Sequence, residues 1–309
     1  MSAVPQNFAD TVIERFRDLG HPLCVGFDPF LDRVAPVFRR GSMAPGDPQT
    51  APAVEDFFNA VIDRIAGHVA VVKPQIAFFE EMGSAGIAVL ERLAARARGR
   101  GILVLLDAKR GDIGSTAEGY ARAYLAPGAA LEVDALTLNP YLGVETLEPF
   151  FEHARRFGRG VFVLTKTSND GSGDFQDCLL APEGLPLYEQ VAVALGEAAS
   201  GLRGSKTGWS ALGVVVGATY PEPAERVRER LPHSLFLVPG YGSQGASAAD
   251  SLRGFVKGPS GREGGVVNTS RAVLYPKGSD TQDARQWEAA FDEALSRATS
   301  ELGEAVARG

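Results

Sequence analysis

Cysteine and histidine are scarce in this chain, with two of the first and four of the second among 309 residues. Cys24 and Cys178 stand far apart, so they form neither a disulfide framework nor a spaced zinc set. His21 and His68 precede the first two apolar runs, His233 precedes the seventh, and His153 falls in a helix-like segment. That placement argues against a histidine triad or a histidine metal cluster. A magnesium site built from carboxylates stays open. Long hydrophobic runs are also missing, and nothing approaches the ~20 residues that span a bilayer. No membrane contact is expected. The first residues, MSAVPQNFADTVIERFRDLG, have neither a basic start nor an apolar core and do not read as a signal peptide, so cytoplasm is the expected compartment. Basic residues are not in excess either: a net charge of −7 argues against a nucleic-acid partner.

What the chain does have is a repeated alternation. Eight short apolar runs recur: Leu23–Phe27, Val69–Val72, Ile102–Leu106, Ala135–Leu138, Val161–Leu164, Leu212–Val216, Leu235–Val238 and Val266–Val267. The first seven are rich in Val, Ile and Leu and short enough for strands buried on both faces of a parallel sheet. Helix-like segments lie between them, such as VEDFFNAVIDRIAG and TLEPFFEHARRFG. Before them all, Asn7 can cap an N-terminal helix whose Phe8, Val12, Ile13, Phe16 and Leu19 share one side. Strand and helix alternating to a count of eight favour an α/β fold, a (β/α)₈ TIM barrel forming a single domain over residues 1–309. An open doubly wound sheet is the alternative. Three connections, near 30–52, 167–185 and 253–264, are longer than a barrel needs. They read as lids, binding loops or tolerated insertions.

Barrel active sites sit at the C-terminal ends of strands, where side chains alternate inward and outward. Asp107 and Lys109 differ by two and so share a face at the end of the third run. Lys73 closes the second run in VAVVKPQ and Asp28 the first in CVGFDP. Any one of these reads as a surface ion pair. Four on one rim, from three adjacent strands, read as a reaction site. Asp112 follows Gly111 into DIGSTAEGYARAYL, where Asp112, Ser115 or Thr116 can cap a helix. Capping and a place in a site, its own or a neighbour's, are both open for Asp112.

GYGSQG at 240–245 matches a dinucleotide fingerprint literally, but six runs precede it, and that motif belongs at the first strand–turn–helix of its fold. The loops after the seventh and eighth strands of a barrel commonly bind phosphate. VPGYGSQGAS supplies close-packing backbone amides there, and Arg271 in VNTSRAVLY a two-pronged donor. A phosphate monoester fits both loops. GLRGSKTG at 201–208 lacks the adjacent Gly-Lys-Ser/Thr of a P-loop and is set aside.

LLDAKRGDIGST, with Lys73 one strand earlier and Arg271 after the eighth, resembles the orotidine 5′-phosphate decarboxylase family, and most closely its longer bacterial branch with DAKRGDIGSTA. VGFDP, VKPQIAFFE, LTLNPYLG, TKTSN, VVGAT, VPGYGSQG and NTSRAVLY extend the resemblance over nearly the whole barrel. It implies conversion of orotidine 5′-monophosphate to uridine 5′-monophosphate and carbon dioxide, in pyrimidine biosynthesis and without cofactor or metal. It also implies that Lys73, Asp107, Lys109 and Asp112 form a charged tetrad in which Lys109 is the general acid and Asp107 lies against the substrate carboxylate. Lys73 and Asp28 would contact the ribose, Ser168 the pyrimidine edge, and Gln244 and Arg271 the phosphate, with Gln244 also bridging towards the base. Asp112, Ile113 and Thr116 would enter the partner's site in a homodimer with shared active sites. The segment 167–185 and the strand-7 loop would close over the substrate. Two rivals stand beside this reading. One is a magnesium-dependent sugar-phosphate lyase or synthase, whose second strand ends in glutamate where this chain has Lys73. The other is a catalytically silent phosphate-binding barrel.

Overall fold

The computed structural model describes residues 5–242 and 245–308. In them eight parallel strands close into a barrel in which each strand pairs with its neighbours in sequence and the last with the first. They are β1 (Leu23–Phe27), β2 (Val71–Pro74), β3 (Leu103–Arg110), β4 (Ala135–Leu138), β5 (Gly160–Lys166), β6 (Ser210–Val216), β7 (Ser234–Val238) and β8 (Gly265–Thr269). Every residue of β1, β4, β6, β7 and β8 is buried, as expected where helices cover the outside and side chains fill the inside. The barrel expectation is met and the open sheet is excluded.

The eight runs mark the strands well, yet several strands continue past them into polar residues. β3 runs on through Asp107, Ala108, Lys109 and Arg110. Asp107 and Lys109 therefore lie inside the strand, beyond where its apolar run stops. The pairing of β3 with β4 is irregular at this point. Leu106 faces Leu136 and Arg110 faces Leu138, so β3 takes four steps where β4 takes two. Such bulges re-aim side chains beside active sites.

The N-terminal helix (Phe8–Leu19) begins as expected, with Asn7 Oδ1 accepting from the amides of Ala9 and Asp10. Its Phe8 meets Phe162 of β5 edge to face. A helix not anticipated from the strand pattern, Ala284–Ala307, lays Trp287, Phe291, Leu295, Leu302 and Val306 on the barrel's outside. The three long connections each carry order of their own. Residues 30–49 are anchored by Phe30 and Phe38, which pack on Phe57, Tyr275 and Trp287, and a helix begins at Thr50. Residues 167–185 contain two helical turns and all but the last residue of a short hairpin. Residues 253–264 form a hairpin (Val256–Gly258 with Gly261–Glu263) that leads into the start of β8. Glu263 there binds Arg17 and the Trp209 indole, just before β6 begins. This hairpin belongs to the face opposite the strand ends and cannot serve as a lid. Among the described residues no helix is long and apolar enough to cross a membrane.

Packing inside the barrel is tight at β6. A Cβ on Gly213 would lie 2.5 Å from the Phe162 ring and 2.6 Å from the Leu235 carbonyl oxygen. Gly213→Ala is expected to cost about 1–3 kcal/mol through overpacking, read as a lower denaturant midpoint. An unchanged midpoint would contradict this packing.

Candidate active site

Asp107 is the hub of the strand-end charges. Its Oδ2 accepts from Lys73 Nζ at 2.8 Å and from Gln75 Nε2 at 3.1 Å. Its Oδ1 accepts from Lys109 Nζ at 2.6 Å and from the Thr137 hydroxyl at 3.0 Å. A carboxylate offers about four acceptor positions, and all four are taken. The side chains of Lys73 and Asp107 are 6 % and 11 % exposed, whereas that of Lys109 is 46 % exposed. Lys109 is thus the member of the chain that faces open space.

The electrostatics follow from burial and pairing. Burial is the largest influence on Asp107 and would raise its pKa, but Lys73 and Lys109 together reverse this and hold it well below the carboxylate range. Burial would likewise lower Lys73, but Asp107 and Asp28 hold its ammonium above its ordinary value. Lys109 has φ of 48°, in the left-handed region that non-glycine residues seldom adopt. Backbone strain of this kind concentrates at functional sites.

Asp28 follows β1 directly. Tyr275, just past the helical turn after β8, fixes it: the Tyr275 hydroxyl donates to the Asp28 carbonyl at 2.8 Å and accepts from the Phe30 amide. Among the described residues, Asp28 Oδ1 and Asn268 Oδ1 of β8 are buried acceptors without a donor. Ser168 stands two residues past β5, packed against Gly217, where a Cβ would lie 2.9 Å from the Ser168 Cα. Behind it, Lys166 binds Asp177 and Ser172 and tethers the 170–177 turns to β5. Arg271 opens a helical turn two residues past β8 and is half buried. Gln244 lies outside the described residues.

The capping expectation for Asp112, Ser115 and Thr116 is not met. The helix Gly114–Leu125 has Ile113 at its N-cap and no side-chain cap, while Asp112 Oδ1 accepts only from the adjoining Ile113 amide. Within one chain Asp112 stands apart from the ion chain. Ile113 is 62 % exposed, and Thr116 is exposed beside it. Arg110 points the other way, pairing with Glu80 and lying over Tyr120. Gln75, Thr137, Gly217 and Asn268 are site residues that the sequence reading did not single out. The one signal for Thr137 was a hydroxyl in an otherwise apolar buried strand.

Comparison with known proteins points one way. A family model described as orotidine 5′-phosphate decarboxylase / HUMPS family matches residues 21–286. The orotidine 5′-phosphate decarboxylase of Rhodopirellula baltica is 39 % identical over 289 residues, covering 92 % of this chain and 94 % of the relative. That of Roseiflexus castenholzii is 43 % identical over 253 residues, covering 82 % and 83 %. The solved structure of Leishmania donovani OMP decarboxylase superposes with a TM-score of 0.73 at 32 % identity, covering 97 % of this chain and 98 % of that one.

Removing Lys73 takes away the buried ammonium of the pair and leaves the Asp107 carboxylate with the half-exposed Lys109 as its one cation. Lys73→Met is expected to cost about 3 kcal/mol, read from the denaturant midpoint. The depressed Asp107 contributes stability that is present above the ordinary carboxylate pKa and lost as pH falls toward its folded value. The raised Lys73 contributes stability that is present below the ordinary lysine pKa and lost only above it. The difference between wild type and variant is therefore flat across neutral pH and shrinks below about pH 4. A cost under about 1 kcal/mol, or a difference that grows in acid, would contradict the buried pair.

Proposed function

The chain belongs to the orotidine 5′-phosphate decarboxylase / HUMPS family and decarboxylates orotidine 5′-monophosphate to the uridine nucleotide; we propose that Lys109 is the general acid of that reaction. The observation that carries the assignment is the half-exposed ammonium of Lys109, held at 2.6 Å by a carboxylate already saturated with donors. Loss of carbon dioxide from the pyrimidine leaves an electron pair localised on the ring carbon, with no cofactor to accept it. An ammonium placed at that carbon stabilises the developing charge and supplies the proton that replaces the carboxylate. Asp107 keeps the ammonium in place and, lying against the substrate carboxylate, presents it with fixed negative charge.

The remaining roles are those that the family resemblance implies. The orphan Oδ1 of Asp28 accepts a hydrogen bond from a ribose hydroxyl, and Lys73 donates to the neighbouring hydroxyl. Arg271 and Gln244 hold the phosphate, far from the reacting carbon, so that its binding energy orients the base. Ser168 reads the pyrimidine edge, and the 167–185 segment closes over it. Asp112, Ile113 and Thr116 complete the site of a second copy in a homodimer. Exposed Tyr141 and Leu142 stand on the neighbouring strand-end loop beside Ile113 and give that face the apolar surface a partner would cover. A cytoplasmic setting suits a charged nucleotide substrate, which does not cross a membrane unaided. A magnesium-dependent sugar-phosphate reaction is disfavoured here, because the Lys73 ammonium fills the place of the metal-binding glutamate and Asp107 has no free lone pair for a metal.

Lys109→Ala is expected to lower decarboxylation at least about 10³-fold while uridine 5′-monophosphate still binds. Asp112→Ala is expected to be similarly slow. Mixing the two under conditions that exchange subunits rebuilds one intact site per hybrid dimer and returns about a quarter of wild-type activity. Full activity of Lys109→Ala would remove it as the acid. Silent hybrids, with exchange demonstrated, would place Asp112 outside the shared site.

A further inference from the structure

Thr137 sits on β4 with 1 % of its surface exposed, and its single hydroxyl oxygen makes three hydrogen bonds. It accepts from the amides of Ala108 and Lys109, each at 2.9 Å, and donates to Asp107 Oδ1 at 3.0 Å. A hydroxyl has two acceptor positions and one proton. The two amides fill both acceptor positions and can only donate, so the proton has one place left to go, the Asp107 carboxylate. All three bonds fall on the irregular stretch of β3, between Leu106 and Arg110, where the ladder to β4 is broken. The amides of Ala108 and Lys109 would otherwise have no strand partner at this partly buried point. Lys109 is also the residue held at φ 48°, a conformation that needs support from its surroundings.

We propose that Thr137 is a positioning residue for the reaction: its hydroxyl holds the bulge of β3 in the one shape that lays the Lys109 ammonium against Asp107. The oxygen acts at both ends of the arrangement. Through the amides it fixes the backbone from which Lys109 projects, and through its proton it fixes the carboxylate that Lys109 meets. No other side chain in the described residues contacts both. The role rests on the assignment of Lys109 as general acid, since a misplaced ammonium slows proton delivery to carbon without loosening phosphate or ribose contacts.

The test uses Thr137→Val, which keeps the shape and removes the hydroxyl, and Thr137→Ser, which keeps the hydroxyl. Thr137→Val is expected to lower kcat about a hundredfold, with affinity for uridine 5′-monophosphate within about twofold of wild type. Amide hydrogen exchange at Ala108 and Lys109 is expected to speed up, while the Leu103–Leu106 amides stay protected. Thr137→Ser is expected to restore kcat to within about threefold. A folded Thr137→Val with near wild-type kcat, or a Thr137→Ser as slow as the valine variant, would overturn the proposal. Should valine not be accommodated, Thr137→Ala against Thr137→Ser gives the same comparison. An inactive wild type would fault the reaction assigned to the site, and the exchange rates of Ala108 and Lys109 would still decide whether the hydroxyl holds the bulge.

Discussion

A carboxylate inside a barrel stays ionised only when donors engage its lone pairs, and Asp107 meets that condition from three strands at once. Lys73 and Gln75 come from β2 and the turn after it, Lys109 from β3 itself, and Thr137 from β4. Each of those strands must sit in its observed register for the four bonds to form together. The ion chain is thus a consequence of barrel closure, and it constrains that closure in return. With Asp28 beside Lys73, two ammonium groups stand against two carboxylates, and Lys109 is the exposed member of the array. A reaction that develops negative charge on carbon has use for that exposed ammonium, whereas a divalent cation would find the Asp107 oxygens already taken.

Around this hub the fold separates holding from reacting. In the proposed reading phosphate, ribose and base fall to residues after β8, β1 and β5, each beyond its strand end. Tyr275 holds the backbone at Asp28, and Gly217 lets Ser168 approach β6. Of the proposed site residues among those described, Lys109 sits in left-handed backbone, within a bulge. Strain of roughly 1–3 kcal/mol at such a residue persists only where the surroundings over-determine it, and the saturated carboxylate and the Thr137 hydroxyl together do so.

Much of this was legible in the residues. Apolar runs bounded by polar ones marked eight buried strands, because parallel strands covered on both faces leave no alternation to misread. The period-two relation of Asp107 and Lys109 correctly placed both on one face, next to Lys73. The bulge was not legible: side-chain spacing along one strand says nothing about its register with the next. Thr137 was missed because a β-branched residue in a strand looks like ordinary packing, and only its partners distinguish it. Asp112 carried the composition of a helix cap, yet the chain turns so that Ile113 takes that position. The segment 253–264 has loop-like composition, but which face of the barrel it serves depends on connectivity, and it precedes a strand where a lid would follow one. The helix Ala284–Ala307 has a clear apolar stripe that a reading anchored on strands passed over.

The most direct measurement adds orotidine 5′-monophosphate to the wild-type protein, with and without a chelator, and follows the pyrimidine absorbance as carbon dioxide is lost. An ammonium acid held by Asp107 predicts turnover at the same rate in both. Absence of turnover, or turnover that stops with the chelator, would contradict a reaction carried by Lys109 alone and return the site to metal-dependent chemistry or to binding without catalysis.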